Sequence, residues 1–470
     1  MMSMSAESED VLTSRDCSLT AVFDVSEQRD EQTSVQGLNT ETVGQSTSLS
    51  NKPEQINMKS VNNMKKEKSS LLHTKSYLMN SLLHLQDRSR ILLQLSKQND
   101  LDSQSRNIYH GKVYNYVLPA PRTVWTCSTQ SRSGRNMSEM LDRQDVLADK
   151  VLYLATLLRV SSKTVLYTGA GLSTSAGVRQ RAPGSTTGGR SLTTNARPST
   201  SHLLLAELVR SGLVHTWVTL CCDGLAQKAG CPQERLLEVH GSWYDPTNPV
   251  LRQGGTVRPD VRERLTQLEE TADLVLVMGS SLTGDHPLVS STSRRAGQGE
   301  SLGSVIVNLQ QTGQDPGASL RLFSHTDKVS ALLASRLGVK ITKPDIKRTI
   351  QHRAWVTYDA EGERTEPEGG MWLDLSPGQE VRLNPHHNCQ GSGQDSLAHI
   401  GGGETVREGG RLIKRCRGVG RVLRYCPTQR AWEMEVEGVK MLLGYWWLES
   451  CTNPTGPLRL PVVNCKPKYK

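Results

Sequence analysis

The chain has 470 residues, room for about three units of roughly 150 residues each, so a peptide-sized or disulfide-dependent miniprotein is excluded. Lysine and arginine outnumber aspartate and glutamate to give a formal charge of +9, and hydrophobic residues make up only 36%, so long solvated segments must dilute whatever core exists. The longest apolar run, Leu274 to Met278, is far shorter than the roughly 18 residues that cross a bilayer, and the polar N-terminus lacks a secretory core, so the expectation is a soluble intracellular protein with no membrane partner.

Residues 1 to about 70 are rich in Ser, Thr, Gln, Asn and Glu without hydrophobic periodicity, the composition of a disordered tail. The cluster Lys65-Lys66-Glu67-Lys68 reads as a solvated charge run in preference to a nuclear signal. From Leu71 to Leu95 apolar residues recur at near-helical spacing, which predicts one amphipathic helix within a tail spanning residues 1–140. A second helical face runs from Val146 to Val160, followed by the buried strand Thr164 to Thr168.

Three more apolar runs follow, at Val214 to Leu220, Leu274 to Met278 and Val305 to Leu309, with helical patterns at His202 to Arg210 and Val329 to Leu337. That alternation, over residues 141–342, predicts an α/β domain: a parallel sheet with helices on both faces. Each strand ends in small or polar residues, at Gly169-Ala-Gly171, Cys222-Asp-Gly224, Gly279-Ser-Ser281 and Asn308, and ligands bind such sheets at the carboxyl ends of strands. From residue 343 short runs such as Trp372 to Leu375, Arg421 to Tyr425, Trp432 to Glu437 and Met441 to Leu448 predict a small β-rich C-terminal module, in which Tyr445, Trp446 and Trp447 form core.

Ten cysteines are scattered, with only Cys221 and Cys222 adjacent and no Cys-x-x-Cys pair, so neither a disulfide framework nor a zinc ribbon is written here. His386, His387, Cys389, His399, Cys416 and Cys426 are too irregularly spaced to define a metal site, and no metal is assigned. Basic residues are interspersed with acidic ones instead of forming a patch, which disfavours nucleic acid as a partner.

The segment Gly169-Ala-Gly-Leu-Ser-Thr-Ser-Ala-Gly177 follows a strand directly, and glycines at such a turn let backbone approach a diphosphate next to a helix start. With Pro198-Ser-Thr-Ser-His202, Asp223-Gly-Leu225, Glu238-Val-His-Gly241, Gly279-Ser-Ser-Leu282 and Ile306-Val-Asn-Leu-Gln310 in the same order, it resembles the sirtuin family. The resemblance covers roughly residues 146–340. It implies a Rossmann-like domain that binds NAD, and transfer of an acyl group from protein lysine to ADP-ribose with release of nicotinamide. In that chemistry the histidine matching His240 is the catalytic base for a ribose hydroxyl, a role that suits imidazole. Gly169, Ala170, Gly171, Ser173, Gly177, Arg179, Asp223, Gly279, Ser280, Ser281, Asn308 and Leu309 match positions that touch or shape the cofactor site. The implied partner is an acetylated protein, a histone among the candidates, and the implied location is nuclear, with the cytoplasm as the alternative.

The chain also departs from the family's pattern. The Gln-Asn pair before Asp223 is replaced by Leu220 and Cys221, and Val178-Arg-Gln-Arg-Ala-Pro183 stands where the family has Pro-Asp-Phe-Arg. No cysteine lies between Cys231 and Cys389, and the only phenylalanines are Phe23 and Phe323, so the four-cysteine zinc module and the Phe-Gly-Glu loop usual between the positions of His240 and Asp273 are missing. Three readings therefore stay open: a working NAD-dependent deacylase; a catalytically inactive NAD or ADP-ribose-binding scaffold whose tail and C-terminal module carry protein contacts; and a chain whose working part is the C-terminal module, the α/β domain being a structural relic.

Overall fold

Hydrophobic runs buried on two faces place strands in the middle of a layered domain, and the computed structural model is built this way. It describes residues 86–94, 109–113, 118–126, 138–178, 196–251, 255–344, 350–384, 404–408, 411–415, 418–453 and 456–469. The expectations for the tail up to residue 85, for Arg179, and for His386, His387, Cys389, His399 and Cys416 lie outside the described residues.

In chain order the elements are helix α1 (86–94), the short strands β1 (Arg122–Trp125) and β2 (Glu139–Leu141), α2 (Gln144–Val160), β3 (Thr164–Thr168), α3 (Ala170–Thr174), α4 (Thr200–Arg210), β4 (Thr216–Thr219), α5 (Leu225–Lys228) and β5 (Leu236–Glu238). They continue with α6 (Pro259–Thr271), β6 (Leu274–Met278), α7 (Pro287–Gly297), β7 (Gly303–Val307), β8 (Leu320–Leu322) and α8 (Thr326–Leu337). Six strands form one parallel sheet in the order β5-β4-β3-β6-β7-β8. The chain runs outward from β3 through β4 to β5, then returns to lay β6 on the other side of β3, so the winding reverses between β3 and β6. This doubly wound order has its ligand crevice at that switch point.

Alternation along each strand sends side chains to two cores. Leu166, Trp217, Leu276 and Val305 pack with α2, α4 and α8, whereas Val165, Tyr167, Val218, Val277 and Ile306 pack with α6 and α7. Ile91 of α1 joins the first core, and Arg88 forms a two-pronged ion pair with Asp273, 2.5 and 2.9 Å, at the start of β6. Residues 110–113 exchange backbone hydrogen bonds with residues 318–321, alongside β8.

The C-terminal residues form β9 (Arg353–Val356), β10 (Met371–Asp374), β11 (Glu380–Leu383), β12 (Glu404–Glu408), β13 (Arg411–Arg415), β14 (Val419–Cys426), β15 (Ala431–Val436), β16 (Val439–Gly444), α9 (Tyr445–Cys451) and β17 (Val462–Asn464). The main sheet is antiparallel in the order β16-β15-β14-β11-β17, around a core that includes Trp432, Tyr358 and Met371. The run Met441 to Leu448 corrects the sequence expectation. It is not one strand: β16 ends at Gly444 and the aromatic half turns into α9, where Tyr445, Trp446, Trp447 and Leu448 are all buried. Four adjacent buried side chains cannot all face the core from a strand of period two, and a short helix against the core admits them.

Candidate functional site at the carboxyl edge of the sheet

The segments singled out in the sequence meet at one edge. Gly169 follows β3, Asp223 follows β4, His240 follows β5, Gly279 to Ser281 follow β6 and Asn308 follows β7. At the switch point the glycines bring backbone onto backbone. The Gly169 amide donates to the Met278 carbonyl at 3.2 Å and the Gly171 amide to the Gly279 carbonyl at 2.7 Å. A Cβ on Gly169 would lie 2.8 Å from the Ser280 Cα, and one on Gly279, whose φ is +63°, would strike the Leu172 amide. These three glycines thus answer first to the approach of the two turns. With the Gly171 amide engaged and α3 only five residues long, the turn offers an anion less than its sequence suggests.

Ala170, Gly171, Gly177 and Ser281 are exposed along this edge, and Ser280 is buried, accepting the Leu282 amide on its Oγ at 3.3 Å. Asn308 is half-buried and its side chain donates to the Gln310 carbonyl at 3.1 Å, while the Leu309 carbonyl accepts the Met140 amide of β2 at 2.9 Å. Leu282 is buried at φ +46°, a left-handed conformation that costs a branched residue about 1–2 kcal/mol.

The β4–β5 side is made of side chains. Asp223 accepts the Leu225 amide on Oδ1 at 3.0 Å, and its Oδ2 is buried with no hydrogen-bond partner. Ser173, fully buried, donates to the Cys221 sulfur at 3.4 Å. A void of about 10 Å3 lies among Ser173, His202, Cys221, Asp223, Gln227 and Glu238, the size of a single water. Burial pushes the Glu238 carboxyl up to about 7, with Asp245 and Asp223 adding repulsion against the hydrogen bonds of Gln227 and Ser242; its Oε1 is also without a partner. Burial lowers His202 to about 4 against the pull of Asp223 and Asp327. The Ser199 amide donates to His202 Nδ1 at 3.3 Å, closing the capping box of α4.

His240 is half-buried, and its Nδ1 lies 3.1 Å from the Leu220 carbonyl oxygen. A carbonyl only accepts, so Nδ1 carries the proton and the neutral ring keeps its lone pair on Nε2. Leu220 therefore supplies by its backbone an orienting contact to the imidazole. Glu238, His202 and Gln227 line this site although no motif marks them as site residues. The signal for Glu238 was available: a carboxylate in Leu236-Leu-Glu-Val239, a run otherwise apolar. Among the described residues no cluster of three or more His, Cys, Asp or Glu is arranged to hold a metal ion.

No family model matches the chain. Among curated proteins it is similar to the NAD-dependent protein deacetylase sirtuin-7 of Bos taurus, 28% identical over 262 residues that cover 44% of this chain and 65% of the relative. It is similar also to sirtuin-7 of Homo sapiens, 29% identical with 44% and 64% covered, and to the deacetylase Sirt6 of Drosophila melanogaster, 28% identical with 43% and 80% covered. The relatives it is similar to are thus sirtuins. The chain spans 65% and 64% of the length of the two sirtuin-7 proteins. The 262 aligned positions exceed 44% of a 470-residue chain, so the alignment opens gaps in this chain. Among solved structures, one described by the structural basis for sirtuin substrate affinity and one of Sir2 with a p53 peptide and NAD+ are each 24% identical and cover 40% of this chain and 98% of theirs, with TM-scores of 0.36 and 0.35. The fold is defined here by the strand order itself.

Proposed function

We propose that this chain is a sirtuin-type NAD-dependent protein lysine deacylase that binds its cofactor across the β3–β6 switch point and uses His240 as base. The observation that carries the reading is the Nδ1 hydrogen bond to Leu220, which leaves a basic Nε2 at the carboxyl edge of the sheet. The donor set suits a cofactor bearing a carboxamide: the Asp223 Oδ2 is buried without a donor, and an amide N–H is what such an oxygen lacks. Ala170, Gly171, Gly177, Ser281 and Asn308 would border the remainder, and Ser173, Ser280 and Leu309 would hold the turns that shape it. When bound, NAD supplies an activated ribose carbon with nicotinamide as leaving group. His240 Nε2 takes a ribose hydroxyl proton, and the Leu220 carbonyl stabilises the imidazolium through Nδ1. An acetylated protein, such as a histone tail, is the proposed substrate and the nucleus the proposed location; the tail and C-terminal module are proposed contact surfaces for other proteins. Among the described residues no helix is long and apolar enough to cross a membrane.

A second reading is favoured by one feature: the void beside Asp223 admits about one water, and Leu220 and Cys221 bring no side-chain amide to it. On that reading the chain binds NAD or ADP-ribose without turnover. Calorimetric titration of both ligands into the full chain, followed by nicotinamide release with an acetyl-lysine peptide, separates the two. For the deacylase, His240→Ala should keep NAD affinity and lose at least about a hundredfold in rate. Undiminished turnover in that variant would remove His240 from the mechanism, and binding without any release would favour the scaffold.

A further inference from the structure

Tyr244, four residues beyond His240, is fully buried, yet the core it joins is that of the C-terminal module, not of the parallel sheet. Its ring meets Trp446 of α9 edge to face, 5.2 Å between centroids, and its carbonyl accepts the Gly444 amide at 3.0 Å. Its hydroxyl oxygen accepts a hydrogen bond from Lys228 Nζ at 2.8 Å. Beneath both rings lies Gly224, the residue after Asp223: at φ +67°, a Cβ there would sit 2.7 Å from the Tyr244 ring and 3.1 Å from Trp446. One aromatic pair thus bears on the turn that carries Asp223 and on the loop that carries His240.

That loop has little independent freedom. The Trp243 amide donates to the Cys222 carbonyl at 3.0 Å, the Ser242 amide to the Asn248 carbonyl at 2.8 Å and the Leu251 amide to the His240 carbonyl at 3.0 Å. Gly241, at φ +79°, is pressed against the Pro249 carbonyl, where a Cβ would not fit. A displacement of Tyr244 is therefore passed to the His240 backbone, and through it to the ring whose tautomer depends on reaching Leu220. A shift of about 1 Å in such a group can cost on the order of a hundredfold in rate.

We infer that the C-terminal module is a wall of the His240 site, with Trp446 a positioning residue that acts through Tyr244 on the Asp223 turn and the His240 loop. On this flank α9 packs against Tyr244 and Gly224. The effect on turnover rests on the proposed deacylase reading; the mechanical coupling does not.

The test uses the full chain with Trp446→Ala and Trp446→Phe. Hydrogen exchange should quicken at Ser242, Trp243, Leu251 and Leu225 in the alanine variant, with α2 and β6 unchanged, and phenylalanine should restore most of the protection. Nicotinamide release should fall about tenfold in kcat with a smaller change in the KM for NAD, again recovered by phenylalanine. Unchanged exchange at those four amides in Trp446→Ala would overturn the inference whatever the activity. If the wild type releases no nicotinamide, the deacylase reading fails while the exchange result still decides the coupling. Should Trp446→Ala not fold, the milder Trp446→Leu carries the same test: it removes the edge-to-face contact with Tyr244 and should quicken exchange at Leu225 and Trp243, whereas unaltered exchange counts against the coupling.

Discussion

Along the β3–β6 half of the site, Gly169, Gly171 and Gly279 lay backbone on backbone, and the hydrogen bonds there run between amides and carbonyls. Along the β4–β5 half the contacts are made by ionisable side chains, Asp223, Glu238, His202 and His240, around a small void with two carboxylate oxygens unpartnered. Both halves stand on equally buried parallel strands. The first is fixed by shape and should be indifferent to pH. The second is fixed by charge and hydrogen bonding, and it carries electrostatic strain that a bound donor could relieve.

Breaking the backbone half should have the largest effect. Gly279→Ala places a methyl against the Leu172 amide at a φ of +63°, which combines overpacking with a left-handed alanine; together these cost about 3 kcal/mol or more. Urea unfolding should show that loss at pH 6 and at pH 8 alike. A loss below about 1 kcal/mol would mean that the two turns can part freely.

The side-chain half should reveal itself through pH. In the fold Glu238 stays protonated up to about 7, but unfolded it ionises near 4.5, so the folded chain holds the extra proton and stability falls as pH rises between about 4.5 and 7. His202 acts in the opposite sense. It is neutral in the fold down to about 4 while the unfolded imidazole takes its proton near 6.5, so stability rises over that interval. Each displacement is worth about 3 kcal/mol, and over most of their range they cancel. Glu238→Gln removes one side of the balance: its unfolding free energy should climb by about 2–3 kcal/mol from pH 4.5 to 6.5, where the wild type stays nearly level. Parallel pH profiles for the two proteins would show that Glu238 ionises normally in the fold.

The same contrast explains what could be read from the sequence. Thr164 to Thr168 and Leu274 to Met278 were legible to the residue because strands covered on both faces are unbroken apolar runs. The edge strands β5 and β8, three residues each, are too short to show a period. Helix α6 was missed because only Val261 and Leu268 of its thirteen residues are buried, although Pro259 at its first turn, like Pro287 of α7, is a start signal. Of the site, the glycine turns and His240 could be placed from motif order. The void could not, since it depends on Ser173, His202 and Glu238 arriving from separate elements, and neither could Tyr244 docking on a module two hundred residues away. Such contacts are long-range and leave no local periodicity.

Gly177 gives the smallest and most discriminating effect. It shares the positive φ of Gly279, at +79°, but it is exposed and an added Cβ would meet nothing within 4 Å. Gly177→Ala should therefore cost only the left-handed conformation, about 1 kcal/mol. A loss as large as that of Gly279→Ala would show that handedness, not close approach, explains the glycines of this edge. Ligand affinity then separates the remaining roles: if cofactor backbone or phosphate comes against Gly177, alanine should weaken NAD binding about tenfold, beyond anything the stability change explains. Equal affinity in variant and wild type would take Gly177 out of the proposed binding surface, leaving Ala170, Gly171 and Ser281 as its exposed candidates at the switch point.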